Sequence, residues 1–145
     1  MSDLEKKTKA LAAENKTLNS FDILNGDDIL AGKDRLRAVP VPVPEWKPGS
    51  QVFVAELSGD ERDEFETAWA DYKTAREEED NVGFRAFTVA YCLCDDKRWL
   101  LFQGRVPEAA QTIGGRNGKA TSRLFNTISR INGLTKADID QLEGN

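Results

Sequence analysis

A chain of 145 residues with 39% hydrophobic side chains has the length of one ordinary domain. It also has enough apolar content to bury a core without a metal or disulfide staple. No apolar run approaches the roughly 18 residues of a membrane span, and the opening MSDLEKKTKALAAENK carries no apolar leader region. The net charge of −5 disfavours a general nucleic-acid binder, and the absence of histidine excludes Ser-His-Asp and Cys-His catalysis, Cys2His2 zinc sites and histidine pH switches.

That net charge hides an asymmetry. Residues 54–80 hold 11 acids against 3 bases, and residues 97–136 hold 8 bases against 1 acid. Such a dipolar chain is self-complementary or directs its basic half at an acidic partner. With two cysteines and no leader, the expected setting is a reducing cytoplasm.

Residues 1–20 are polar, with Leu4, Leu11 and Leu18 spaced by seven. Three leucines without partner apolar positions make a weak seam, so this stretch reads as a flexible extension. The single domain then runs over 21–145. Asn25-Gly26-Asp27-Asp28 marks a turn and cap before a short helix, roughly Asp27 to Ala31, that ends at Gly32.

In LRAVPVPVP, Val39, Val41 and Val43 alternate with Pro40, Pro42 and Pro44. N–H groups of alternate strand residues point to the same side, so all three missing donors lie along one edge. The valines pair through the other, which predicts an edge strand rather than a polyproline ligand. Gln51 to Leu57, QVFVAEL, reads as the second strand of a β-hairpin, with the turn over Trp46 to Ser50.

Ser58 and Glu61 form a capping box that opens a helix with Phe65, Trp69 and Tyr72 as its core stripe. The acidic run Glu77 to Asp80 sits badly at a helix C-terminus and predicts fraying there. Gly83 to Cys94, GFRAFTVAYCLC, is apolar nearly all round and is expected to be a buried helix, with a central strand as the alternative. Asp95-Asp96-Lys97 is a turn, and Trp99 to Phe102 an extended apolar anchor. Pro107 to Ile113 is a short helix ended by Gly114-Gly115.

Lys119 to Ile131 is the next clear helix, with Leu124, Ile128 and Ile131 inward and Asn132-Gly133 at its C-terminus. Thr135 caps a last helix with Asp138 three residues on. The expected fold class is α+β: an N-terminal β-hairpin followed by a bundle of about four main helices.

Three motifs carry less chemistry than they suggest. Gly114 to Thr121, GGRNGKAT, places Ile113 and Ala120 where a phosphate loop needs Gly and Ser or Thr. Cys92 and Cys94 lack the two-residue gap of zinc knuckles, and on a helix their thiols would point about 200° apart. Asp60, Asp63 and Glu64 lack calcium-loop spacing. No cofactor, metal or catalytic residue is expected.

The ordered set GDDIL at 26–30, VPEW at 43–46, VFV at 52–54, ELSG at 56–59 and ERDxFE at 61–66 continues with an apolar helix, Asp95-Asp96, Leu101-Phe102, Leu124-Phe125, INGLT at 131–135, Asp138 and LEGN at 142–145. This set resembles the tail assembly chaperones of long-tailed bacteriophages over about residues 22–145. The resemblance implies a non-catalytic holdase in the host cytoplasm, absent from the finished virion. Its partner would be the tape-measure protein, which it keeps soluble until tail-tube subunits polymerise around it. Contact with the tail-tube protein and self-association are further expectations, as is a longer frameshifted product in many of the family's genes. The polar extension and the Gly114 to Gly118 loop depart from the family pattern. Arg116, Lys119, Arg123 and Arg130 are the candidate partner-binding residues. The competing reading is a nucleic-acid-binding regulator that uses the same basic half.

Overall fold

A computed structural model describes residues 21–75 and 83–144. The extension over 1–20 and the acidic run at 77–80 therefore lie outside the described residues. The chain divides at Asp34/Arg35 into two units.

In the described part of the first unit, α1 (Gly26–Ala31) is a helix of little more than one turn. It is held by a reciprocal cap: Asp28 N–H donates to Asn25 Oδ1 at 2.8 Å and Asn25 N–H donates to Asp28 Oδ2 at 3.1 Å. Phe21, Ile23, Leu24, Ile29 and Leu30 are all exposed.

The second unit is α+β. A three-stranded antiparallel sheet has the order β1 (Ala38–Pro42), β2 (Gln51–Ala55), β3 (Leu93–Cys94). Five helices complete the unit: α2 (Gly59–Ala75), α3 (Phe84–Cys92), α4 (Val106–Gly114), α5 (Gly118–Ile131) and α6 (Lys136–Glu143).

β1 lies at the sheet edge and pairs Val39 with Val54 and Val41 with Val52. Val43 N–H donates to Ser50 O at 3.0 Å and Glu56 N–H to Arg37 O at 2.9 Å. These two bonds set the parity of the ladder: the valine amides face β2 and the proline nitrogens face outward. Pro40 and Pro42 are exposed, whereas Val41 and Val43 are buried.

Chain order meets space at α3. Eight of its nine residues are buried, from Phe84 to Cys92 with only Arg85 excepted. Its two hydroxyls are both satisfied: Thr88 donates to Phe84 O at 2.7 Å and Tyr91 to Glu61 O at 3.5 Å. The helix packs chiefly against α4 and α5. On the α2 side an aromatic cluster joins Phe65 to Tyr91 at 5.2 Å, Trp69 to Phe84 at 5.1 Å and Tyr72 to Phe87 at 5.2 Å between ring centroids. Each such pair contributes about 0.5–1.5 kcal/mol beyond area burial.

Two expectations need correction here. The apolar stretch 83–94 is not one helix: its last two residues, Leu93 and Cys94, leave α3 and pair with Val54 and Phe53. The second edge of β2 would otherwise bury unpaired backbone groups, and pairing there outweighs another turn of helix. The 99–102 segment is not a uniform anchor either. Leu100 bridges Cys94 and residues 101–104 then turn, with Leu100 and Phe102 packed against the core. Trp99 and Leu101 face outward, at 69% and 45% exposure.

Asn132 ties the sheet to the helices. It is the C-cap of α5, followed by Gly133 at φ +65°, which lets Leu134 N–H reach Ser129 O at 2.8 Å and Gly133 N–H reach Arg130 O at 3.3 Å. The Asn132 Oδ1 accepts from Leu57 N–H at 2.7 Å, and Nδ2 donates to Ala55 O and Ile128 O, both at 3.1 Å. Arg62 donates to the Asn132 carbonyl at 2.9 Å. One side chain thus satisfies the backbone where the chain leaves β2 for α2.

Two predictions follow from these contacts. Asn132→Ala orphans Leu57 N–H and Ala55 O together and should lower stability by about 2–4 kcal/mol in urea unfolding. Asn132→Asp should recover little, because it faces Ala55 O with a second acceptor; full recovery would refute the bridge. Replacing Pro40 and Pro42 with Thr should return two outward N–H donors to the edge and promote self-association, read by sedimentation velocity. An unchanged monomer–oligomer balance would show that the prolines do not guard the edge.

Candidate functional site

The four basic candidates divide between two settings. Lys119, Arg123 and Arg130 share a face of α5 around a shallow concavity with Ser122, Asn126 and Thr127. Arg116 lies in the turn before α5, outside that concavity. Lys119 and Arg130 are exposed.

Arg123 is engaged within the fold. Its Nη1 donates to Pro42 O at 2.9 Å and Glu45 Oε1 at 2.8 Å, and its Nη2 donates to Glu45 Oε2 at 2.6 Å. This forked pair, helped by Glu45's own backbone, holds the Glu45 carboxyl down to about 2. The Arg116 guanidinium lies 5.0 Å from the Trp46 ring centroid and donates to the Trp46 carbonyl at 3.4 Å. Two of the four cations thus fasten the β1–β2 turn to α5.

A second feature was not visible in the sequence. A cleft of about 320 Å³ opens between α2, α3 and the segment 100–107. Ala68, Phe87, Tyr91, Leu100, Val106 and Pro107 supply its apolar lining, with Glu61, Glu64 and Gln103 as polar members. Glu61 is 37 residues from Arg98 in sequence, so no local pattern could reveal their pairing.

The turn before Leu100 shapes one wall. Asp95 Oδ1 accepts from Lys97 N–H and Trp99 N–H, both at 2.9 Å. Within that turn Arg98 adopts φ +71°, a strained conformation for a side-chain-bearing residue. Its Nη1 donates to Glu56 O at 3.1 Å and to the two Glu61 carboxylate oxygens at 2.8 and 3.1 Å.

Burial pushes the Glu61 carboxyl up. Hydrogen bonds from Ser58 N–H and Arg98 outweigh that and hold it below its ordinary value. Burial, then the Glu64 carboxylate, pushes the Tyr91 phenol up to about 12.

The remaining sequence motifs show what their local geometry can do. In GGRNGKAT the Asn117 side chain accepts from Lys119 N–H at 2.9 Å and Ala120 N–H at 3.2 Å. The first amides of α5 are therefore engaged by their own cap, not turned to a phosphate. Cys92 and Cys94 are free thiols in buried positions, and burial raises both, Cys94 up to about 11. They are poor nucleophiles at neutral pH. Among the described residues, no group of three or more His, Cys, Asp or Glu side chains stands where it could hold a metal ion. No described helix is long and apolar enough to cross a membrane.

Compared with protein-family models, with curated proteins and with solved structures, the chain matches none.

The Glu45–Arg123 fork predicts a pH dependence. A carboxyl lowered by folding contributes stability above its ordinary value of 4.5 and loses it as pH falls toward about 2. Carboxyl NMR should find Glu45 titrating near the bottom of that window. Arg123→Ala should return it toward the ordinary glutamate range; an unmoved titration would show that the fork does not form in solution.

Proposed function

We propose that this chain is a tail assembly chaperone of a long-tailed bacteriophage, a non-catalytic holdase for the tape-measure protein in the host cytoplasm. The reading rests on the ordered residue set from GDDIL to LEGN. The observation that carries it in the fold is the open, apolar-lined cleft between α2 and α3. A tape-measure protein presents long apolar helical stripes before the tube encloses it, and a helix face seats in such a groove through side chains at i, i+3 or i+4, and i+7. Binding must stay weak enough for tail-tube subunits to displace the chaperone, which is then left out of the virion.

In this reading the β1–β2 pair is the N-terminal hairpin, its proline edge closed to strand addition, and α2 to α5 form the bundle that carries the cleft. Arg116, Lys119, Arg123 and Arg130 take a lesser part than their charge suggests. Arg123 and Arg116 already serve Glu45 and Trp46. That weakens the nucleic-acid reading, which needs those cations for phosphate.

Co-expression with the tape-measure protein tests the proposal. The client should remain soluble and co-purify, and changing all four basic residues to Ala should preserve most of that effect. The purified protein should not shift DNA or RNA at about 0.15 M salt. A steeply salt-dependent shift, with no solubilising effect, would sink the chaperone and favour the regulator. Zinc at stoichiometric level, or nucleotide hydrolysis abolished by Lys119→Ala, would refute the non-catalytic assignment.

A further inference from the structure

We infer that the cleft between α2 and α3 selects an apolar helix whose stripe is flanked by lysine or arginine. The inference rests on the holdase reading for its biological client, but its physical basis is the charge of the cleft.

The two cations of α2 lie away from the cleft, on a side where Glu66 also stands. Its cations turn toward the C-terminal part of the chain: Arg62 donates to Asn132 O at 2.9 Å and pairs with Asp138 at 3.7 Å. Lys73 donates to Leu142 O at 3.0 Å. Its carboxylates at Glu61 and Glu64 line the cleft, and no basic side chain lines it. Arg98 balances Glu61, whereas no described residue pairs with the exposed Glu64 carboxylate.

Glu64 therefore sets the sign of the rim. Its field is already felt at the lining, where it adds to burial in raising Tyr91. Arg105, in the segment 100–107, lines a separate concavity with Glu108 and lies 5.5 Å from the Phe102 ring centroid.

An incoming helix would place one or two apolar side chains against Ala68, Phe87 and Leu100. A lysine or arginine one turn away would meet Glu64. An acidic flank there meets like charge instead, at a cost comparable to the gain of an exposed pair. Apolar burial supplies the affinity, and Glu64 supplies the preference.

The test uses the full-length protein and two labelled helical peptides of roughly 18 residues, five turns. They share one leucine stripe and differ only in Lys or Glu flanks. By fluorescence anisotropy at low salt, the Lys-flanked peptide should bind roughly three- to tenfold more tightly, the scale of one or two exposed ionic contacts. Glu64→Lys changes an exposed position. With circular dichroism and thermal unfolding unchanged, it should abolish or invert the preference. Ala68→Trp fills the cleft and should weaken both peptides at least tenfold.

Equal binding of the two peptides by the wild type, or a preference untouched by Glu64→Lys, overturns the inference. So does tight binding by a folded Ala68→Trp variant, which places the site elsewhere. A homodimer dissociated by Ala68→Trp would give the cleft to a second copy and also overturn it. Failure here and failure of the holdase reading are separable. A client solubilised equally well by Glu64→Lys and Ala68→Trp sinks this inference alone. A clear peptide preference with no solubilised client sinks the holdase reading alone.

Discussion

The second unit depends on burying one helix on nearly every side. From Phe84 to Cys92 only Arg85 escapes the core, and Arg85 reaches out to Ser122 at 3.1 Å. A short helix with almost no polar face cannot lie on a surface, so each neighbour must turn an apolar face to it. Phe65 and Trp69 do this from α2, Ala109, Ala110 and Ile113 from α4, and Leu124, Phe125 and Ile128 from α5. The small residues of α4 permit close approach, and the aromatics of α2 fill the wider gap. Each fully buried large side chain in this set is worth about 1.5–3 kcal/mol of transfer free energy. The same requirement leaves concavities only at the seams between elements, as where Phe87 and Tyr91 of α3 meet Ala68 of α2 and Leu100.

Side-chain bonds to the backbone then fix how the shell elements meet. Asn132 serves β2, the entry to α2 and the end of α5 with one amide. Arg123 holds Pro42 O and Glu45 on the turn after β1. Trp69 Nε1 and Lys73 both donate to Leu142 O, at 2.8 and 3.0 Å, which fastens α6 to α2. Apart from the local Asn132–Ile128 bond, these contacts span 69 to 81 residues of sequence. They act between elements that the core has already brought together, so their loss should loosen the shell before the core.

What was legible in the sequence is what local chemistry decides. The Pro/Val alternation at 39–44 reads directly, because a missing N–H has a fixed direction in a strand. The Thr135–Asp138 and Ser58–Glu61 boxes read directly, since each needs only its own four residues. The aromatic stripe Phe65, Trp69, Tyr72 reads as core because the helical period repeats it on one side. The end of α3 was not legible, because Leu93 and Cys94 are apolar enough for either state and only β2 decides. Trp99 misled for a similar reason: an indole favours burial in general, but beside the Cys94–Leu100 bridge it faces outward. The cleft was invisible because its walls come from three separate parts of the chain.

Charge along the chain and charge in space differ more than any other feature. Counted along the chain, the basic stretch 97–136 is the obvious surface for an acidic partner, and the acidic stretch 54–80 an obvious solvated face. In space the two stretches partly consume each other: Arg98 from the first grips Glu61 from the second at 2.8 Å. Arg123 spends its fork on Glu45, outside both. A cation already bound to a carboxylate must give up that bond to hold a new anion, so a run of arginines overstates its binding capacity. The converse holds at Glu64, a single carboxylate among eleven acids in its stretch. It stands exposed beside apolar lining with no described partner, so no internal bond has to be given up when a cation approaches. Unspent charge next to apolar surface, rather than charge density along the chain, is what points to the cleft.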